Sequence, residues 1–539
     1  MKHILLLFLI IAITLSDASS QNQPLTVAES SNFMSTGEYN DVIKFISELQ
    51  ERNSKYLTID TIGYSIQGNP IPLMIMGNPL PSNHNDIGER LVVYLQANIH
   101  AGEVEGKEAV QMLARDLLKD PNSELMKNLV LLITPILNID GNDKISTSNR
   151  RNQVGPVNGV GVRYNGQQLD LNRDAMKMET PEIKAVITRV LNTWDPQISV
   201  DCHTTNGSFH EEPITFTWMQ NPNGDRSLIN YMRDKMMPNV RDTLDIKYNV
   251  DNIYYGVFVD RLDYSKGWLS YASEPRYLVN YIGLRNRLAI LNENYVYADY
   301  KTRILGCYNF LLTVLEYASQ EMYEIKDLLL AADASLVSRF SSSLVSDSFA
   351  IRYAGKATPE PITIMAFETD TIPGVQGYGR FKKSDRRISV TIPYIADYYA
   401  TKNVKFPFAY LITSPDPEII ETLTNHGIQM EVLSDNMVLT VEEYKISELK
   451  PSSRINQGHY NNIASGKYKV TEKSFQKGTV VVYTEQKLGN VIAALLEPEA
   501  QDCLLKWNYF DRYLTPQWGS GYYPYPVYRI TSPVVLEID

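Results

Sequence analysis

Short apolar runs alternate with helical segments between residue 36 and about residue 318, and this alternation limits the possible folds more than any other feature. The clearest runs lie at residues 91–95, 129–136, 198–201 and 288–291. Short strands that are largely apolar are typical of sheets covered by helices on both faces. We therefore predict an α/β fold with a mixed, mostly parallel sheet, whose functional residues lie at the carboxyl ends of the strands.

The pattern of predicted secondary structure changes near residue 340, where short β-like runs such as residues 362–367 and 480–483 become common. A chain of 539 residues exceeds what one hydrophobic core usually serves. We predict an α/β domain over residues 21–330 and a β-rich C-terminal domain of unknown role over residues 340–539.

The first 20 residues have the pattern of a signal peptide. Lys2 and His3 precede an apolar run at residues 5–13, and small residues follow at 18–20. The apolar run is short for the roughly 30 Å of a bilayer core, although a retained membrane anchor is the alternative. We expect the mature protein to be secreted or periplasmic, with no membrane association after signal removal.

Charge and cysteine content exclude some classes of protein. A net charge of −11 argues against nucleic acid as a partner, because phosphate binding needs a basic surface. The three cysteines, Cys202, Cys307 and Cys503, are too few for a disulfide framework. We predict three buried thiols, with a Cys307–Cys503 bridge as the alternative.

Candidate metal ligands follow two of the predicted strands. His100 and Glu103 come after the run at 91–95, and His203 comes after the run at 198–201. Two histidines and one glutamate form a familiar zinc set that leaves the fourth position for water. Of the other histidines, His84 lies in a polar loop, and His210 stays open as an alternative ligand.

Polar residues at other strand ends and in one loop suit hydrolytic chemistry. Glu293 ends the run at 288–291, where a carboxylate can act as general base, and Glu274 and Asp299 are alternatives. The run at 170–173 joins several candidates. Arg173 with Asn172 has donors that match a carboxylate, while Asp170 could hold the far nitrogen of a ligating histidine. Arg150 offers a cation for an oxyanion, and its neighbour Arg151 competes for that role.

In this order the residues resemble the zinc carboxypeptidase family of carboxypeptidase A-like metallopeptidases. The matches cover roughly residues 36–318, and those at 135–141 and 170–173 discriminate best. They are Ser65-Ile66-Gln67-Gly68, His100-x-x-Glu103, Pro135-x-x-Asn138-x-Asp140-Gly141, Arg150-x-Asn152, Asp170-Leu171-Asn172-Arg173, His203 and Glu293.

The resemblance implies an exported zinc-dependent metallocarboxypeptidase that hydrolyses C-terminal peptide bonds of peptides with a free terminal carboxylate. It implies one zinc ion bound by His100, Glu103 and His203. The implied roles of the remaining residues are general base for Glu293, oxyanion stabiliser for Arg150, carboxylate binding for Asn172 and Arg173, and orientation of His100 for Asp170.

The chain departs from the family at Asp174, where the family has asparagine, so Asp174 could weaken carboxylate binding or form a different substrate clamp. The family's mobile tyrosine corresponds to either Tyr277 or Tyr281. Two other functions stay open. One is a zinc amidase or deacylase acting on peptidoglycan stem peptides or acylated amino acids. The other is a non-catalytic zinc-bearing protein that binds sugar or peptide through the aromatic cluster at residues 518–525.

Overall fold

The computed structural model describes residues 23–205, 207–271, 273–341, 347–515, 521–522 and 524–539. The predicted signal peptide and part of the aromatic cluster at 518–525 lie outside the described residues. Within them, no helix has the length and apolar character needed to cross a membrane.

An eight-stranded mixed sheet forms the centre of the molecule, in the order β1-β2-β4-β3-β5-β10-β6-β7. The central strands β4, β3, β5 and β10 run parallel, whereas β1, β2 and the β6–β7 pair give the sheet antiparallel neighbours. Every residue of β3, β4 and β5 is buried, which explains their apolar composition. The predicted α/β fold class is confirmed. The first ten strands are β1 (Leu57–Tyr64), β2 (Pro70–Met76), β3 (Leu91–Ala97), β4 (Leu129–Thr134), β5 (Ile198–Thr204), β6 (Ile214–Trp218), β7 (Asn252–Tyr254), β8 (Val257–Phe258), β9 (Trp268–Leu269) and β10 (Leu288–Asn294).

Helices cover the sheet, and α3 and α11 pack against each other on the face toward which Cys202 points. Helix α10 packs on β5 and β10. The α-helices are α1 (Val27–Ser30), α2 (Tyr39–Asn53), α3 (Glu105–Leu117), α4 (Glu124–Asn128), α5 (Ile139–Asn142), α6 (Pro181–Ala185), α7 (Asn192–Trp194), α8 (Arg226–Tyr231), α9 (Met237–Tyr248), α10 (Leu278–Leu284), α11 (Tyr300–Gln320), α12 (Met322–Val337), α13 (Pro417–Asn425) and α14 (Gly489–Leu496).

The C-terminal region is β-rich and contains a six-stranded sheet in the order β16-β19-β15-β20-β17-β18. It shares a continuous apolar core with the first region, and β14 pairs in parallel with β9. The boundary near residue 330–340 therefore stays a prediction. The strands are β11 (Ser348–Ala357), β12 (Ile362–Thr371), β13 (Phe381–Ile392), β14 (Tyr394–Lys405), β15 (Ala409–Ile412), β16 (Glu431–Val432), β17 (Met437–Pro451), β18 (Asn462–Phe475), β19 (Val480–Tyr483) and β20 (Val527–Ile530).

All three cysteines, Cys202, Cys307 and Cys503, are buried and free. The structure therefore matches the prediction of three buried thiols, and the alternative Cys307–Cys503 bridge is not formed.

Candidate metal and substrate site

The carboxyl ends of β3, β5 and β10 meet because these strands are neighbours and run in the same direction. His100 and Glu103 follow β3, while His203 lies near the end of β5. Glu293 of β10 is the register partner of His203. Parallel pairing thus brings together residues that are far apart in the sequence, as the strand-end rule predicts.

His100, Glu103 and His203 present three ligand atoms to one point. The Nδ1 atoms of the two histidines lie 3.2 Å apart, and Glu103 Oε2 lies 3.1 Å from His100 Nδ1 and 2.9 Å from His203 Nδ1. All three residues are buried. Zinc bonds of about 2.0–2.1 Å in tetrahedral geometry would separate such ligand atoms by about 3.3 Å. The donor set therefore fits zinc in both chemistry and spacing.

A carboxylate contacts the far nitrogen of each imidazole. Asp170 Oδ1 lies 2.9 Å from His100 Nε2, and Asp201 Oδ2 lies 2.9 Å from His203 Nε2. Burial alone would lower the pKa of His203. The charge of Asp201 and the hydrogen bond between His203 and Glu103 have a larger effect, and they raise this pKa well above its ordinary value. Such contacts leave both Nδ1 atoms directed toward the ligand point.

Sequence reasoning missed Asp201, although the strand period offered a signal. Residues two apart on a strand point to the same face, so Asp201 and His203 had to share a face if β5 continued to Thr204.

Glu103 carries its negative charge in a buried position. Burial alone would raise its pKa, but the neighbouring His100 and Arg150 hold the pKa of this carboxyl well below its ordinary value. The backbone N–H of Thr204 also donates to Oε2, at 3.1 Å. Glu103 is therefore available as an anionic metal ligand.

Arg150 lies behind the ligands, and the structure does not bring it into the cavity next to the site. Its Nη1 donates to Glu103 Oε1 at 2.8 Å, and its Nε donates to Gln153 Oε1 at 2.7 Å. Its Nη2 donates to the carbonyls of Thr204 and Thr205 at 2.7 and 3.1 Å. All three guanidinium nitrogens are thus engaged, and the competing Arg151 is exposed in a separate groove.

A cavity of about 360 Å³ opens in front of the three ligands. Its wall contains most of the predicted site residues, including the candidate Tyr277, together with Tyr255, Tyr271 and Arg163, which the sequence analysis did not select. The polar and aromatic wall residues are His100, Glu103, Arg163, Asn172, Arg173, His203, Tyr255, Tyr271, Tyr277 and Glu293.

Glu293 is half-buried at this wall. Burial, with the nearby charge of Glu103, raises its pKa to about 8, although His203 and two arginines act in the opposite direction. The alternatives for its role lie elsewhere. Asp299 caps the amino end of α11 through Thr302, and Glu274 is not among the cavity residues.

Arg173 faces the cavity and is 25% exposed. Its Nη1 donates to the carbonyl of Asn172 at 2.7 Å, and its guanidinium lies 4.5 Å from the ring centre of Tyr277. The side-chain oxygen of Asn172 accepts from the backbone N–H of Leu278 at 3.1 Å. Arg173 is therefore held by backbone and ring while its side chain reaches the cavity.

Asp174 points away from the cavity into the protein. It is fully buried, and it accepts from Lys177 Nζ at 2.6 Å and from the backbone N–H of Thr180 at 2.8 Å. The expectation that Asp174 acts on substrate is therefore not supported by its position. Of the two candidate tyrosines, Tyr277 lines the cavity, whereas Tyr281 is buried against His426.

The other candidate histidines are separate from the ligand point. His210 is buried with its ring against Tyr295 and Trp268, and His84 is exposed in its loop.

The C-terminal region contacts the substrate-side loops directly. Gln457 Oε1 accepts from the backbone N–H of Asp170 at 2.8 Å, and His459 Nε2 lies 2.7 Å from Glu179 Oε1. Asp502 accepts from both the backbone and the side chain of Arg276, the residue before Tyr277. The loops that carry Asp170 and Tyr277 are thus supported from outside the first region.

Residues 42–208 match the model of the zinc carboxypeptidase family. A protein of Arthroderma benhamiae, named probable carboxypeptidase 2, is 26% identical over 164 residues, which are 30% of this chain and 27% of that protein. The match thus spans about a quarter of that relative's length.

Part of the chain also matches solved structures, among them a metallo-carboxypeptidase from Burkholderia cenocepacia, with 16% identity and a TM-score of 0.40 over 52% of this chain and 69% of that one. Carboxypeptidase A from Helicoverpa armigera has 17% identity and a TM-score of 0.39 over 53% and 74%. The match of residues 42–208 to the family model confirms the resemblance predicted from the sequence.

Proposed function

We propose that this relative of the zinc carboxypeptidases is an exported metallocarboxypeptidase that hydrolyses C-terminal peptide bonds. One observation carries the proposal: His100, Glu103 and His203 present their ligand atoms to one point, and Glu293 and Arg173 line the cavity beside it. A zinc ion held by these ligands would lower the pKa of a coordinated water toward about 7 and polarise the scissile carbonyl.

The residues of the chain would then position the substrate and move a proton. Arg173, with Asn172, would bind the terminal carboxylate through N–H donors and so fix the scissile carbonyl near the ligands. Glu293 would accept the proton of the attacking water and return it to the leaving amine, a role worth roughly 10²- to 10⁴-fold. Asp170 would keep His100 in its ligand orientation. The oxyanion role implied for Arg150 stays a prediction.

The test is incubation of the mature protein with a mixed peptide library, with and without a zinc chelator, followed by mass spectrometry. We expect loss of single C-terminal residues that stops when the chelator is added. Glu293→Gln should keep one zinc ion per chain and lose at least about 10²-fold in rate.

Peptides with an amidated C-terminus are the matched control, because Arg173 would have no carboxylate to bind. Equal cleavage of free and amidated peptides, or full activity of the Glu293→Gln protein, would contradict the assigned roles. Absence of bound zinc would contradict the proposal as a whole.

Hydrolysis of peptidoglycan stem peptides or acylated amino acids is the alternative chemistry for the same ligands. Asp174, which the sequence left open as part of a different substrate clamp, is buried against Lys177. A muropeptide and an acylated amino acid belong in the same incubation, and cleavage of these alone would establish the alternative. Export stays a prediction, because residues 1–20 lie outside the described residues.

A further inference from the structure

Three tyrosines line one side of the cavity in front of the metal ligands, and we call Tyr255, Tyr271 and Tyr277 the tyrosine wall. The rings of Tyr271 and Tyr277 pack edge to face, with their centres 6.2 Å apart. The ring centre of Tyr277 also lies 4.5 Å from the guanidinium of Arg173. Since Arg173 is the proposed anchor of the terminal carboxylate, the tyrosine wall stands beside the place of a substrate's C-terminal residue.

The tyrosine wall lies on connections between elements rather than on strands of the central sheet. Tyr255 follows β7, Tyr271 follows β9 and Tyr277 precedes α10. The backbone N–H of Tyr255 donates to the carbonyl of Phe216 in β6 at 2.8 Å, which joins one end of the wall to the central sheet. The position of a connecting segment depends on the scaffold that packs against it, so the other contacts of the wall decide where it stands.

Two tyrosines of β14, in the C-terminal region, bind the backbone of two members of the wall. The hydroxyl of Tyr394 donates to the carbonyl of Tyr255 at 3.1 Å, and the hydroxyl of Tyr398 donates to the carbonyl of Tyr271 at 2.9 Å. Tyr394 is buried and Tyr398 is half-buried. Water therefore competes little for these two bonds, and each fixes a backbone carbonyl of the wall.

Two further contacts from the C-terminal region hold the same connection. The N–H of Ser270 donates to the carbonyl of Ile395 at 3.0 Å, which continues the pairing of β9 with β14. The buried Asp502 accepts from the N–H of Arg276, the residue before Tyr277, at 3.1 Å. These bonds end on backbone atoms, so the C-terminal region positions the wall while the wall side chains line the cavity.

We propose that Tyr394 and Tyr398 are positioning residues for substrate recognition, which hold the tyrosine wall against the side chain of the residue to be removed. This inference rests on the proposed function. Val279 and Leu291 line the cavity together with the wall, so a large apolar side chain gains contacts there and a methyl group gains few. Loss of either hydroxyl frees a backbone carbonyl of the wall, and this affects chiefly the substrates that touch the wall.

The test compares Tyr394→Phe, Tyr398→Phe and the double variant with the wild type, each as the zinc-loaded full chain. The substrates are two peptides that differ only in a C-terminal phenylalanine or alanine. Each single variant should raise KM for the phenylalanine peptide by about 3- to 10-fold, the range for one lost hydrogen bond, with little change in kcat. KM for the alanine peptide should stay nearly constant.

Tyr525→Phe is the matched control. Tyr525 is a buried tyrosine of the same region, its hydroxyl donates to the carbonyl of Leu496 at 3.0 Å, and it is not among the described residues that line the cavity. This control should leave both KM values unchanged. An equal rise in KM for the two peptides, the same change in the control, or an unchanged KM in the double variant would overturn the inference.

Binding without turnover separates this inference from the proposed function. Phenylpropionate and propionate share a carboxylate, differ by a phenyl ring and contain no peptide bond. In calorimetric titrations, phenylpropionate should bind the wild type more tightly than propionate and should lose at least about threefold in affinity in the double variant. If this holds and the wild type cleaves no peptide, the proposed function is wrong and the positioning role stands. If the wild type cleaves peptides and the variants match it in both assays, the positioning role alone is wrong.

Discussion

Each imidazole of the candidate metal site has a carboxylate on its far nitrogen, Asp170 for His100 and Asp201 for His203. The two carboxylates reach the site differently. Asp201 lies two residues before its histidine on β5, whereas Asp170 comes from a loop whose backbone is bound by Gln457. The contact between Asp201 and His203 lies within one strand, which makes Asp201 the cleaner residue to test.

Asp201→Asn should weaken zinc binding by about 10- to 100-fold, because the amide lacks the charge that makes the imidazole a strong ligand. Competition with a chromophoric chelator measures the affinity. Ser199→Ala is the matched control, since Ser199 lies on the same strand face and its buried hydroxyl has no recorded partner among the described residues. Unchanged affinity in Asp201→Asn would mean that the contact does not tune the ligand.

Asp174→Asn should lower the free energy of unfolding by about 1–3 kcal/mol, because the buried Lys177 ammonium loses its anion at 2.6 Å and keeps only Glu179, at 2.7 Å. Denaturant unfolding measures the loss. The double variant with Lys177→Met should recover part of it, since the buried ammonium is then absent. If Asp174→Asn instead raised the KM for peptides tenfold with little loss of stability, Asp174 would have a role in substrate binding.

The sequence predicted His100, Glu103, His203 and Glu293 as neighbours because all four lie at the carboxyl ends of parallel strands in one sheet. The direction of loop side chains follows from tertiary contacts, which the sequence pattern does not contain. For this reason Arg150 was selected by its motif, and Arg163, which has no motif spacing of its own, was not.

Among the elements, β3, β4, β5 and β10 were predictable because complete or nearly complete burial makes their sequences largely apolar. The short strands β7, β8 and β9 were not predicted, since two or three residues are too few to establish a period. They form only because neighbouring strands supply their partners.

Helix α3 approaches β5 so closely that only glycine fits at position 106. A Cβ on Gly106 would lie 2.4 Å from Cys202 Cβ and 3.3 Å from Ala97 Cβ. Gly106→Ala should therefore lower stability by about 1–3 kcal/mol despite the better helix propensity of alanine.

Chemical denaturation of a double-mutant cycle tests this contact. The Gly106→Ala, Cys202→Gly double variant should lose less stability than the two single variants together, because removing the cysteine side chain makes room for the new methyl. If the stability loss of the double variant equals the sum of the two single losses, then the helix and the strand can move apart enough to accommodate the methyl group.

At the scale of the whole molecule, the C-terminal region and the first region form one continuous folded body. Its core is continuous with that of the first region, and β14 extends a strand pairing that begins at β9. Apolar composition and strand period predict each region separately, but they carry no information about pairing between strands more than a hundred residues apart. The association of the two regions therefore could not be predicted.

His459 joins the two regions through a pH-dependent contact. The hydrogen bond with Glu179 raises its pKa above 6.5, and both ring nitrogens face oxygen acceptors, Glu179 Oε1 and Asn508 Oδ1. Burial raises the pKa of Glu179, but His459 and Lys177 outweigh it and hold the pKa below 4.5.

The sign of the pH dependence follows from these shifts. The His459 contribution is fully present below pH 6.5 and is lost as the pH rises through the raised pKa. The difference in free energy of unfolding between wild type and His459→Gln should thus be largest near pH 5–6 and become smaller at higher pH. We expect its size to stay below about 1 kcal/mol. Unfolding at a series of pH values measures it, and Glu179→Gln should remove the same dependence. A difference that grows with pH would contradict the contact.

Strand β20 lies between β15 and β17, yet it follows both by many residues in the chain. During translation the ribosome therefore releases two strands whose shared neighbour has not been made. Until residue 530 emerges, β15 and β17 each have an open hydrogen-bonding edge, and such edges can pair with strands of other nascent chains. A premature stop codon only a few residues before Val527 would leave those edges permanently open, so such a short deletion would cause aggregation out of proportion to its length.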